Sequence, residues 1–173
     1  MKRYLYFILF IGFFIFLQSS SLYRYLSIQD VHPDFLLISI GLAAFILGPV
    51  PGEIIGFVTG FIVDILAGGL LGISAFTYTA VGYGVGIVGQ RVYGTSLLIP
   101  VTVLFVVTLI KAFLLGMLAA VFLKPGYFGY FSQGKIFLEV VLNSTIAPCF
   151  FILMTKLERK SSEQHEVHFS RYR

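Results

Sequence analysis

Residues Pro51 to Gly72 read PGEIIGFVTGFIVDILAGGLLG. Gly52, Gly56, Gly60 and Asp64 recur every four residues, with Gly68 one step further on. On an α-helix, positions i and i+4 share a face. The spacing therefore predicts a slowly drifting stripe of three bare backbone patches and one carboxylate on an otherwise mostly apolar helix. A carboxylate in such a setting is costly in lipid and should face protein.

The whole chain supports lipid as the solvent. Of its 173 residues, 58% are hydrophobic and 12% charged, where soluble domains carry roughly a quarter charged. Mean hydropathy is +0.94. A soluble fold of this size has too high a surface-to-volume ratio to hide that much apolar surface. An all-α, polytopic membrane bundle of about six transmembrane helices is expected. The net charge of +4 is spread over the ends of apolar segments, and no nucleic-acid partner is expected. Cys149 is the single cysteine, so it has no intrachain disulfide partner, and a small buried apolar role is its simplest use.

Working outward, the first apolar segment is Tyr4 to Leu17, preceded by Lys2 and Arg3 and followed by Gln18-Ser19-Ser20-Ser21. The pattern fits a signal peptide or, extended to Leu22, an uncleaved anchor. Bulky aromatics through the segment and the lack of an Ala-x-Ala site favour the anchor. Pro33 and Asp34 open the second span, Phe35 to Leu47, with Pro33 suited to a helix entry and Asp34 near the positive end of that helix. The third span, Gly52 to Ala67, is the opening stripe. The fourth is Ile73 to Val88, ending in a polar turn at Gly89-Gln90-Arg91. The fifth is Ser96 to Leu123 and contains Lys111, and the aromatic loop Lys124 to Lys135 suits the membrane–water interface. The sixth is Ile136 to Met154. These make a bundle of residues 1–155, with 156–173 as a polar, basic tail expected to fray or lie on the surface.

With six spans, Lys2, Arg3, Arg91, Lys156, Arg159, Lys160, Arg171 and Arg173 fall on one side, and Arg24, Lys124 and Lys135 on the other. The excess places both termini in the cytoplasm.

Glycine spacing of this kind lets two helix backbones approach closely. Gly52, Gly56, Gly60, Gly72, Gly82 and Gly86 are the candidate packing or interface positions. They serve contacts inside the bundle or, alternatively, a homodimer or partner interface. Asp64 lies about 16 Å along its helix from Glu53, and Lys111 about 21 Å from Leu97 along a helix running the same way. Their depths are compatible, and an intramembrane ion pair between Asp64 and Lys111 is expected. A proton or substrate relay is the functional alternative.

Several formal matches to chemical motifs lack their context. Gly84 to Gly89 satisfies G-x-G-x-x-G but lies inside an apolar span, with no acid about twenty residues on. Ser74 has no base within the membrane, since His32, His165 and His168 all lie outside the spans. Asn143-Ser144-Thr145 is a glycosylation triplet buried in the sixth span. No metal-ligand cluster and no cofactor motif remain, and a non-enzymatic role follows.

The order Pro33-Asp34-Phe35-Leu36-Leu37, then Gly52-x3-Gly56-Phe57-x2-Gly60-x3-Asp64, then Gly68, Leu71-Gly72 and Gly82-Tyr83, resembles the MreD family of rod shape-determining membrane proteins. The resemblance implies a scaffold of the bacterial elongation machinery in the inner membrane. Its implied partners are the periplasmic scaffold MreC, the actin-like MreB, and the side-wall transpeptidase and glycosyltransferase. It also implies a bundle similar to the substrate-binding subunits of ECF-type vitamin transporters, so a small-solute binding subunit is the alternative function. The lack of tryptophan and the few polar residues in the spans weigh against a polar ligand.

Overall fold

The computed structural model describes residues 2–20, 23, 25, 27–29, 31–68, 71–91, 98–122 and 134–170. Those residues form six helices: α1 (Lys2–Ser19), α2 (Phe35–Leu47), α3 (Pro49–Ala67), α4 (Ile73–Arg91), α5 (Leu98–Phe122) and α6 (Lys135–Ser170). The chain is a helical membrane bundle. Among the described residues, α3, Val101–Phe122 of α5 and Lys135–Leu153 of α6 are long and apolar enough to cross a membrane. Tyr6–Ser19 and Phe35–Leu47 are shorter apolar helices. The aromatic loop expected after α5 lies outside the described residues, apart from its last two positions.

Helix α2 is the axis of the bundle. Every residue from Phe35 to Ala44 is buried, which explains its lack of amphipathic pattern: a helix surrounded by protein is apolar all round. At 13 residues it rises only about 20 Å, and protein rather than lipid covers it. Asp34 caps its start, the carboxylate Oδ1 accepting from Leu37 N at 2.9 Å. Gly48 ends it at a φ of 98°, a conformation glycine adopts without strain. Pro49 then starts α3, where a missing N–H costs nothing.

Around this axis, α1 contributes Phe7, Ile11 and Phe14 to the core, residues spaced to share one helix face. Phe14 stacks on Phe35 with ring centroids 5.2 Å apart, and Phe35 lies parallel to Phe150 at 5.9 Å. One aromatic column thus joins α1, α2 and α6. Helices α3 and α4 form the tightest pair in the bundle, while α5 packs on α6, α4 and α2.

Three boundaries and one burial differ from expectation, the first being α3, which starts at Pro49 rather than Gly52. Helix α4 runs through Arg91, because Gly89 sits against the backbone of Phe45 and the glycine there serves contact rather than a turn. Helix α6 continues to Ser170 instead of fraying after Met154. Its final stretch, KLERKSSEQHEVHFS, contains neither Gly nor Pro and is rich in residues that lose little on entering a helix. Cys149 is exposed rather than buried; it lies on the outward side of α6, where lipid serves an apolar side chain as well as the core does.

Candidate functional site

The glycine stripe of α3 meets the backbone of α4, glycine on glycine at Gly52 and Gly82. A Cβ on Gly52 would stand 2.5 Å from Ala44 Cβ and 2.6 Å from Gly82 O. One on Gly56 would stand 2.6 Å from Tyr78 C, and one on Gly60 2.6 Å from Ala75 Cα. From the other side, Gly82 and Gly86 press on the backbones of Gly52 and of Gly48-Pro49. These five positions are occupied inside the chain. Gly72 is different. It sits in the α3–α4 turn at a φ of 104°, and a Cβ there would meet nothing within 4 Å. Its placement among the packing glycines is therefore corrected: only a backbone without a side chain turns this way at no strain.

Asp64 explains that turn. Its Oδ2 accepts from Gly72 N at 2.8 Å and Ala75 N at 3.1 Å, and its Oδ1 from Ser74 N at 3.0 Å. The carboxylate at the end of α3 thus satisfies N–H groups at the start of α4, which would otherwise lack partners, and meets the positive end of the helix dipole. The expected Asp64–Lys111 pair does not form. Equal depth along two helices says nothing of lateral position, and α3 lies beside α4 whereas α5 lies toward α6.

Lys111 instead stands between two other carboxylates. Its Nζ is 2.6 Å from Asp34 Oδ2 and 2.7 Å from Glu139 Oε1. Tyr78 OH donates to the same Asp34 oxygen at 3.0 Å. The backbone N–H of Asp34 donates to Asn143 Oδ1 at 2.8 Å, and Asn143 Nδ2 donates to Thr108 Oγ1 at 3.2 Å. Asp34, Tyr78, Thr108, Glu139 and Asn143 are all buried. The centre joins α2, α4, α5 and α6 at the end of the bundle where α2, α4 and α6 begin. Asp34 lies one residue before α2; burial pushes its carboxyl up, but the Lys111 ammonium and the donors from Lys111, Leu37 and Tyr78 pull it down further, to below the ordinary carboxylate value. Pro33, its neighbour, accepts from Tyr23 OH at 2.8 Å through its carbonyl and so anchors the preceding connection.

Sequence reasoning assigned Asp34 to a helix entry, which it is, but not to the ion pair. It passed over Glu139, Asn143, Tyr78 and Thr108. A usable signal was present: Glu139 and Asn143 stand four residues apart on one face of an apolar helix, where two polar groups side by side call for a common partner. Among the described residues no group of three or more His, Cys, Asp or Glu side chains is placed to hold a metal.

A family model described as rod shape-determining protein MreD matches residues 1–159. The chain belongs to the MreD family. As a member of a rod-shape-determining family with apolar helices of spanning length, it is a membrane protein of cell-shape determination. Neither the curated proteins nor the solved structures give a match. In this MreD-family chain the buried polar groups therefore stand on their own geometry. Asp34, Asp64, Tyr78, Lys111, Glu139 and Asn143 each engage a side chain or backbone group of another element and so fasten one helix to the next.

Proposed function

We propose that the chain is a non-enzymatic scaffold, spanning the bacterial inner membrane six times with both termini in the cytoplasm. It would help side-wall peptidoglycan synthesis by holding MreC and, through it or directly, MreB and the side-wall transpeptidase and glycosyltransferase. The excess of basic residues at one end of the spans supports the orientation, and residues 156–170 continue α6 as a polar extension. The MreD-family match along nearly the whole chain is the observation that carries this function. Its polar centre supports the absence of catalysis: Lys111 lies within 2.7 Å of two carboxylates, an arrangement suited to fastening helices and poorly suited to leaving a nucleophile or base free for substrate. The packing glycines and Asp64 shape the bundle that partners meet.

The test is depletion of the chain in its own host. Loss of rod shape, together with recovery of MreC on the purified full-length chain, is the expected outcome. Rods that persist after depletion, or a chain that never carries MreC, would refute the proposal.

A further inference from the structure

Beside the face of α3 buried on α4, and turned from it by about 100°, a second stripe faces outward. Glu53, Phe57, Phe61 and Ile65 follow at steps of four and line one helix stripe. The apolar members are exposed by 52%, 42% and 56%, and Glu53 is exposed too. The rings of Phe57 and Phe61 lie nearly parallel, at 12°, with centroids 6.0 Å apart. That pairing makes a flat aromatic surface. The Glu53 carboxylate takes part in no ion pair and no hydrogen bond among the described residues. It stands four residues past Pro49, about 6 Å into the helix, flanked by the exposed Val50 and Ile54.

We propose that this stripe seats a single membrane-spanning helix of a partner that carries a lysine or arginine at its cytoplasmic flank, paired with Glu53. The occupant follows from charge and level. The exposed Glu53 carboxylate heads an apolar outward stripe and offers a complementary partner to a cation on a neighbouring helix. In the six-span orientation α3 starts at the cytoplasmic side, which puts Glu53 at the level where single-span proteins carry their Lys/Arg excess. Below that pair, Phe57 and Phe61 supply large contact area at little side-chain entropy cost. The neighbouring face, filled by α4 through the glycines, is closed to such a helix. The inference rests on the proposed scaffold function, which supplies MreC as the partner to probe.

The experiment is photo-crosslinking in membranes that contain the full chain and MreC, with benzoylphenylalanine at Phe57, at Phe61, or at the exposed Phe113 of α5 as the control position. The expected result is crosslinking to MreC from Phe57 and Phe61 but not from Phe113. Glu53→Lys should lower the yield at least about tenfold, the scale of a lost desolvated charge pair. Changing a basic residue at the cytoplasmic flank of the MreC span to glutamate should restore it. Should Glu53→Lys fail to accumulate, Glu53→Gln must still lower the yield severalfold. Crosslinking from Phe113 alone, crosslinking to a second copy of this chain, or a yield indifferent to Glu53 overturns the inference. If MreC co-purifies yet never crosslinks to α3, the inference fails and the scaffold function stands. If MreC does not co-purify with the unaltered chain, both fail.

Discussion

Replacing Lys111 with methionine should be among the most destabilising single changes in the bundle. The ammonium is 2.6 and 2.7 Å from two carboxylates. Each contact is worth about 6 kcal/mol of Coulomb attraction at an effective dielectric of about 20. Much of that attraction is offset by desolvation, and removing one member of a buried pair typically costs about 3–5 kcal/mol. Here the loss leaves two buried carboxylates facing the same vacated space, so the upper part of that range is expected. The same argument predicts recovery. Lys111→Met combined with Asp34→Asn and Glu139→Gln removes all three charges, keeps a capping side chain at position 34, and should regain most of the loss. Denaturation of the purified full chain in detergent micelles, followed by helix signal and by resistance to aggregation on heating, measures both. A Lys111→Met protein within about 0.5 kcal/mol of the parent, the range of an ordinary surface change, would refute the reasoning. So would a triple variant less stable than Lys111→Met.

Other consequences follow from the same geometry and the same assay. Gly56→Ala should cost about 1–3 kcal/mol by forcing α3 off the backbone at Tyr78, whereas Gly84→Ala, with open space around it, should be neutral or stabilising by up to about 1 kcal/mol. Asp64→Ala should cost at least the roughly 1 kcal/mol of a lost helix cap, because three backbone N–H groups lose their acceptor, and Asp64→Asn should retain part of it. Tyr78→Phe should cost about 1 kcal/mol, one hydrogen bond to Asp34. Since the Asp34 carboxyl sits below its ordinary value of 3.8, its contribution to stability is complete above that value. It should vanish only as pH falls through the lower folded value. Thermal unfolding between pH 5 and 7 should therefore show no Asp34-dependent change, and Asp34→Asn should flatten the acid limb below it.

What could be read from the chain divides along physical lines. Spacing along one helix is local information, so the Gly52–Gly56–Gly60 stripe, the entry at Pro33-Asp34 and the sequence of apolar segments were legible. Depth is nearly local too, since it follows from rise per residue. Lateral position is not. Asp64 and Lys111 stand out along the chain as charged groups in apolar helices, but which neighbour each meets depends on how helices are arranged around α2. The turn at Gly72 folds three N–H groups back on Asp64 within eleven residues, a local solution that a search for a distant cation overlooks. Asp34 was hidden by its place at a helix entry, where an acid is ordinarily explained by the dipole alone. Asn143 was hidden by the glycosylation triplet it belongs to. The continuation of α6 past Met154 was obscured by treating polarity as a lack of helix.

The Asp34–Lys111–Glu139 centre joins helices, and in the proposed scaffold that is its whole task. The most direct measurement is cell shape when the only copy of the chain is the charge-free triple variant, Asp34→Asn with Lys111→Met and Glu139→Gln, at membrane abundance matched to the parent. Rods of normal width with MreC still bound are predicted, because a centre that only fastens helices can do so without its charges. Rounded cells in which the variant is folded, abundant and bound to MreC would contradict the account, since the charges would then be required for something beyond holding the bundle together.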